Sequence, residues 1–460
     1  MSITTIPTKH LFYMILLLIV SITFAFIVNL PIYIGILASI CYIFFIAKKY
    51  GYETMALLYL IRSSFKTVKT VLFMLILIAA ILPLWMVSGT LPTLIYYSFI
   101  HLSSLNVPLA AFAISTLLSL MLGTFIGTLS IVGPLFMSLA MGLNIPPALM
   151  ASALISGSAV GDRLSPISSN FHLICASCGS EINKTIVATI KTNLPALIIT
   201  FTFYALSGQH YQLDVSGYSN IASVLSLLES HFQIHFAMIL PMFLLLMLIL
   251  SKKLPIVASF LVTFFCSIGF YIFVGLDITA LPSLILSGYH PDLPDLSQLI
   301  SGSGIASMIA VPIIILCSAY LNDLLKHTHL MSQALDRLSS GPMTLKKLYL
   351  KTEFLSILVT IISCNQSLTA IITGQHFQKQ FDDFSINRSQ LARVIADTGS
   401  LVITVIPWNL NALVASSITG VLSIHYIPYM VYVYVLLLIT TLVSLLSKGS
   451  TAPIAEKTAL

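Results

Sequence analysis

An aspartate and an arginine stand side by side in a run otherwise made of small, apolar and neutral polar residues: Ser156-Gly157-Ser158-Ala159-Val160-Gly161-Asp162-Arg163-Leu164-Ser165-Pro166-Ile167-Ser168-Ser169-Asn170. Gly157, Gly161 and Pro166 should interrupt a helix there and free backbone carbonyls and amides. Ser165, Ser168 and Ser169 add hydroxyls, and Asn170 adds an amide oxygen. A carboxylate among such oxygens suits a small hard cation that has shed its water shell, with Asp162 as the expected ligand. A second run, Arg393-Val394-Ile395-Ala396-Asp397-Thr398-Gly399-Ser400, is followed by Pro407, Trp408 and Asn409. Arg393 and Asp397 are four residues apart and share a helix face, while Gly399 and Pro407 should break that helix. Asp397, Thr398 and Asn409 are further oxygen ligands in this reading, and Asn365 and Gln366 could add amides from a hairpin tip. The bland alternatives are a charge pair at a frayed helix end and simple neutralisation of Asp397 by Arg393.

The elements that carry these residues must lie in a membrane. The 460-residue chain has 21 Lys or Arg and 15 Asp or Glu, so 8% of it is charged, against roughly 25% in a soluble domain. Hydrophobic residues make up 58% and the mean hydropathy is +1.01. Disorder, a secreted disulfide scaffold and a nucleic-acid binder are excluded, and the net charge of +6 is spread between apolar runs rather than gathered in a patch. The 92 residues from Thr70 to Gly161 and the 50 from Thr398 to Ser447 hold no Lys, Arg, Asp or Glu. The Cys175-x-x-Cys178 pair lies in apolar surroundings with no second pair and reads as packing. A removed signal peptide is not expected, because the first two apolar segments follow each other without a cleavage site.

Loop charges give an orientation. Lys48, Lys49, Arg62, Lys66 and Lys69 mark a cytoplasmic loop, as do Lys252 with Lys253, and Lys326, Arg337, Lys346, Lys347 and Lys351. Spans are then expected at about 11–29, 31–47, 70–87, 148–176, 186–206, 234–250, 255–275, 303–320, 393–421 and 427–446. Two stretches, about 108–142 and 353–375, must enter and leave on one side as re-entrant hairpins. The expected fold is an all-α polytopic membrane protein of about ten transmembrane helices plus two hairpins. Its divisions are an N-terminal two-helix segment and loop (1–69), transport repeat 1 (70–206), a two-helix linker (207–302), transport repeat 2 (303–446) and a cytoplasmic tail (447–460). The loop after the first unit's opening helix lacks Lys and Arg and its counterpart has five, so the units are inverted, with broken helices meeting near the midplane.

Four segments resemble the NhaC type of sodium/proton antiporter, within the ion-transporter superfamily: Ser88-Gly89-Thr90-Leu91-Pro92-Thr93-Leu94-Ile95-Tyr96-Tyr97, Gly123-Thr124-Phe125-Ile126-Gly127-Thr128, Gly161-Asp162-Arg163-Leu164-Ser165-Pro166 and Ile406-Pro407-Trp408-Asn409. The resemblance runs over roughly residues 10–446. It implies a multi-pass protein of a bacterial inner membrane that expels sodium against protons, with relatives that exchange organic substrates. Ser169 and Asn365 stand where this family usually has Asp, so a site lined by both would lose two carboxylates.

The expected mechanism is alternating access, with Asp162 holding a cation or a proton in turn. Desolvation and the neighbouring Arg163 charge would compete in setting which is held. The partners are sodium, a proton and the lipid bilayer, with both termini cytoplasmic, no cofactor beyond the transported ions and no nucleic acid; a homodimer fits as well. The first rival exchanges an organic carboxylate or amino acid held by Arg163 and Arg393. The second, an intramembrane aspartyl protease using Asp162 and Asp397, is disfavoured because Arg163 would keep a dyad from sharing one proton. The chain is therefore expected not to be an enzyme.

Overall fold

The computed structural model describes residues 6–28, 30–31, 33–102, 106–209, 225–251, 253–293, 296, 302–339, 344–363 and 365–447. Cys364 and most of the expected tail lie outside them. The first part comprises α1 (Lys9–Ile27), α2 (Tyr33–Lys49), α3 (Thr54–Val87), α4 (Thr90–Leu102), α5 (Val107–Leu122), α6 (Phe125–Gly142), α7 (Pro147–Leu164), α8 (Ser169–Cys178) and α9 (Ile182–Gln209). The linker carries α10 (Leu240–Ser251) and α11 (Ile256–Phe273). The second part holds α12 (Ala310–His327), α13 (Leu345–Ser363), α14 (Gln366–Asp383), α15 (Arg388–Asp397), α16 (Gly399–Val402), α17 (Leu410–Thr419) and α18 (Val431–Leu446). The chain is an all-α polytopic membrane protein.

Among the described residues, length and composition qualify four single helices as membrane crossings, α3, α6, α9 and α11. Two bent pairs, Leu225–His231 with Phe236–Ile249 and Leu410–Thr419 with Ser423–Tyr429, raise this to six. The expected ten crossings are not reached on this criterion, because α1 and α18 are short apolar helices and the span expected at 393–421 is divided into α15, α16 and α17. Among the described residues α6, expected as one arm of a hairpin, is itself long enough to cross.

The chain breaks are locally encoded. Gly123 ends α5 in the left-handed region at φ 67°, which a side chain would strain. A Cβ there would also strike the backbone at Ile167 and Ser168, so the first hairpin tip is pressed onto the break between α7 and α8. Ser165 is extended, with ψ 131°, as expected before Pro166. Ser168 then caps α8 by accepting from Phe171 N–H at 3.2 Å. In the second half Asn365 caps α14, accepting from Ser367 N–H at 2.9 Å.

One sequence expectation is corrected here. Gly157 and Gly161 do not interrupt α7, which runs unbroken from Pro147 to Leu164. A Cβ at Gly157 would overlap Phe112 O and Ser115, and one at Gly161 would overlap the Ser119 backbone. These glycines let α5 lie against α7, the small-residue packing by which membrane helices approach closely. Ser119 bridges the contact, donating to Ser158 O at 2.6 Å and accepting from Gly161 N–H at 2.8 Å. Gly399 has a related use: a Cβ there would overlap Ser356 of α13 and Thr369 of α14.

Candidate functional site

Asp162 sits in the last turn of α7, where the α5–α6 and α13–α14 connections converge. Three donors reach its carboxylate. Gln366 Nε2 donates to Oδ2 at 3.0 Å, Asn170 Nδ2 to the same oxygen at 3.3 Å, and Phe125 N–H to Oδ1 at 3.4 Å. Phe125 opens α6, so the positive end of that helix points at the carboxylate. Ser400 ties the two amides together, accepting from Gln366 at 2.7 Å and Asn170 at 3.0 Å. The Ser168 hydroxyl donates to the Asp162 carbonyl at 2.5 Å, which fixes the α7 terminus against α8.

A cavity of about 450 Å³ opens onto this group, lined by Thr124, Asp162, Ser169, Asn170, Gln366 and Asn411 among others. Two oxygens of these lining residues, Thr124 Oγ1 and Asn170 Oδ1, are buried without a hydrogen-bond partner. Buried polar atoms are rarely left unpaired, because desolvation then goes uncompensated. Thr124 holds the N-cap position of α6 but makes no capping bond, and Gly127 leaves room for its hydroxyl, since a Cβ there would overlap it. One carboxylate with neutral oxygens is a hard-cation donor set. No group of three His, Cys, Asp or Glu suited to a transition metal occurs among the described residues.

Arg163 does not face Asp162. Its Nη1 donates to Asp397 Oδ1 at 2.8 Å, and its Nη2 donates to Asn193 Oδ1 at 2.8 Å and to the Tyr432 hydroxyl. Asp397 Oδ2 accepts from Thr192 at 2.7 Å and Thr440 at 3.0 Å. Arg163 is 1% exposed and Asp397 fully buried. They form an internal ion pair joining α7, α9, α15 and α18, distinct from the Asp162 cavity. The two aspartates thus have separate partners, and no shared-proton dyad is built.

The remaining candidates divide between the site and its frame. Ser169, Asn170 and Gln366 line the cavity. Ser165 donates to Leu120 O at 2.7 Å and stitches α7 to α5. Asn365 is spent as a helix cap, a task that Asp would perform equally well. Thr398 donates to Val394 O at 2.6 Å. Asn409 donates to Thr360 O at 3.3 Å, and its Oδ1 is unpartnered. Pro166 lies in the break after α7, and Pro407 in the turn before α17. Sequence reasoning missed Thr124, the Phe125 N–H, Ser400 and Asn411. The signal for the first two was the uncharged Gly-Thr pair in a hairpin facing an intramembrane carboxylate.

A model of the Na+/H+ antiporter family matches residues 176–448. The malate-2H(+)/Na(+)-lactate antiporter of Bacillus subtilis is 25% identical over 412 residues, covering 89% of this chain and 88% of the relative. The Na(+)/H(+) antiporter NhaC of the same organism is 25% identical over 383 residues, covering 82% and 84%. NhaC of Alkalihalophilus pseudofirmus is 24% identical over 387 residues, covering 82% of each chain.

Proposed function

The chain belongs to the Na+/H+ antiporter family, and we propose that it exchanges sodium for protons by letting one carboxylate, Asp162, hold either ion in turn. The observation that carries this reading is the pair of unpartnered buried oxygens, Thr124 Oγ1 and Asn170 Oδ1, on two residues that line the cavity together with Asp162. With the carboxylate ionised, those oxygens and Asp162 offer a bare cation replacements for its hydration shell. With the carboxyl protonated, its O–H needs an acceptor, and the same oxygens supply one. Both ions compete for one set of atoms, so loading one requires release of the other, and no separate proton wire or resident cofactor is needed.

The convergence of both hairpin tips on Asp162 suits alternating access, since a shift of either hairpin against α7 and α8 would open the cavity to a different side. Gln366 and Ser400 belong to the second half and Asp162 and Asn170 to the first, so the site is completed by contact between the halves. A bacterial inner membrane with both termini cytoplasmic belongs to the same proposal. One relative's name includes malate and lactate; an organic anion is not favoured at this cavity, because among the described residues no Lys or Arg lines it. The test is Asp162→Asn in everted vesicles, where sodium-driven proton movement is expected to disappear. Exchange at the wild-type rate would refute the assignment.

A further inference from the structure

A second cavity, of about 320 Å³, lies between the N-terminal turns of α13 and α15 and the C-terminal end of α18. Tyr349, Gln390, Arg393 and Ser447 line it, with apolar Val443 and Leu446. Arg393 is 2% exposed, yet its Nη1 has no hydrogen-bond partner and lies 3.6 Å from Asp397 Oδ2. That oxygen already accepts from Thr192 and Thr440, and Oδ1 from Arg163. One carboxylate therefore serves two buried guanidiniums. Glu353, one turn deeper than Tyr349 on α13, accepts from the Thr441 hydroxyl at 2.9 Å and from Ser444; it forms no ion pair with Arg393 among the described residues.

The Arg393 guanidinium shares the Asp397 carboxylate with Arg163 and makes no hydrogen bond to it, and a buried cation with an unmet donor gains from an anion beside it. We propose that this cavity binds the phosphate group of an anionic phospholipid, with the Arg393 guanidinium, the Tyr349 hydroxyl and the Gln390 amide as donors. Guanidinium and phosphate match in charge and donor geometry. The surroundings favour a lipid over a soluble phosphate. Leu446 is 75% and Val443 40% exposed, so apolar surface for acyl chains leads outward from the cavity along α18. Lys346 and Lys347 are exposed on the first turn of α13, at the end of the helix nearest Tyr349. Basic pockets between helix ends at the membrane surface are where anionic headgroups settle.

The test is native mass spectrometry of the purified full chain, titrated with phosphatidylglycerol, with phosphatidylcholine and, separately, with inorganic phosphate. One phosphatidylglycerol per chain is expected, retained at least about tenfold better than phosphatidylcholine. Gln390 Oε1 already accepts from Arg393 Nε at 3.0 Å, so Gln390→Glu would place a carboxylate beside Arg393 and do the anion's work. It is expected to keep the fold and lower phosphatidylglycerol retention about tenfold. Tyr349→Phe, which deletes one donor, is expected to lower it about threefold. Equal retention of the two lipids, or unchanged retention in Gln390→Glu, would overturn the proposal. Displacement of phosphatidylglycerol by inorganic phosphate at comparable concentration would assign the cavity to a soluble oxyanion and overturn the lipid assignment. Asp162→Asn is expected to retain the lipid, so failure here leaves the exchange reading standing, and the reverse.

Discussion

Replacing Thr124 by Val separates a cation ligand from a structural hydroxyl. Its Oγ1 is buried without a partner, and the Thr124 backbone is extended at φ −139° and ψ 132°, a conformation that β-branched residues favour. Val is nearly isosteric and deletes no hydrogen bond. Removing an unsatisfied buried hydroxyl relieves about 1–3 kcal/mol of desolvation, so the empty protein should melt at an equal or higher temperature. If the oxygen is a ligand, sodium loses an ion–dipole contact. On the scale of hydrogen bonds to charged groups that is about 1.5–3 kcal/mol, or roughly 10- to 150-fold in the sodium concentration for half-maximal exchange. The assay is sodium-dependent dissipation of an imposed pH gradient in proteoliposomes, with thermal melting of the same preparations. Thr124→Ser, which keeps the hydroxyl, should stay within about threefold of wild type. An unchanged sodium requirement in Thr124→Val would refute the ligand role. A large loss of stability would show instead that the hydroxyl is a structural contact.

Other expectations follow from the same geometry. Asp397→Asn leaves Arg163 buried without its counter-ion and should destabilise the protein by about 3–5 kcal/mol, whereas the double replacement Arg163→Met with Asp397→Leu should recover most of that in melting experiments; equal stability of Asp397→Asn and wild type would contradict the ion-pair role. Gly161→Ala should cost about 1–3 kcal/mol through overlap with the Ser119 backbone, while Gly269→Ala, where a Cβ meets nothing within 4 Å, should stabilise α11 by about 0.5–1 kcal/mol. Across the turn between α14 and α15, hydrogen bonding to Arg388 holds the Asp382 carboxyl below its usual range. The folded value is depressed, so this contribution is present above the unfolded value and lost as pH falls through the folded one. The pair is exposed at the surface, so Arg388→Ala should remove no more than about 1 kcal/mol of acid-sensitive stability, read as melting at pH 3 against pH 6.

The sequence by itself determined the class and the cast. Scarcity of charge put the chain in a membrane, because apolar helices of this length cannot be covered by 8% charged residues. Pro166 placed the break after α7, since a proline acts on its own backbone and on the residue before it, whereas Gly157 and Gly161 serve helix packing instead. Asp162, Asn170 and Gln366 were nameable for the same reason: an ionised or amide side chain among apolar spans has few uses. Directions were harder. Asp162 and Arg163 are neighbours in sequence, but successive side chains on an α-helix diverge by about 100°, so they open onto different surroundings; the spacing contained that fact. What lay on each side was decided by packing alone. Arg163 met Asp397 across 234 positions, Gln366 met Asp162 across 204, and the Gly123-Thr124 tip met the α7–α8 break because Gly123 fits against its backbone. No local rule reports which helix faces which. Partition between the Asp162 cavity and the internal ion pair was therefore settled only by the tertiary structure.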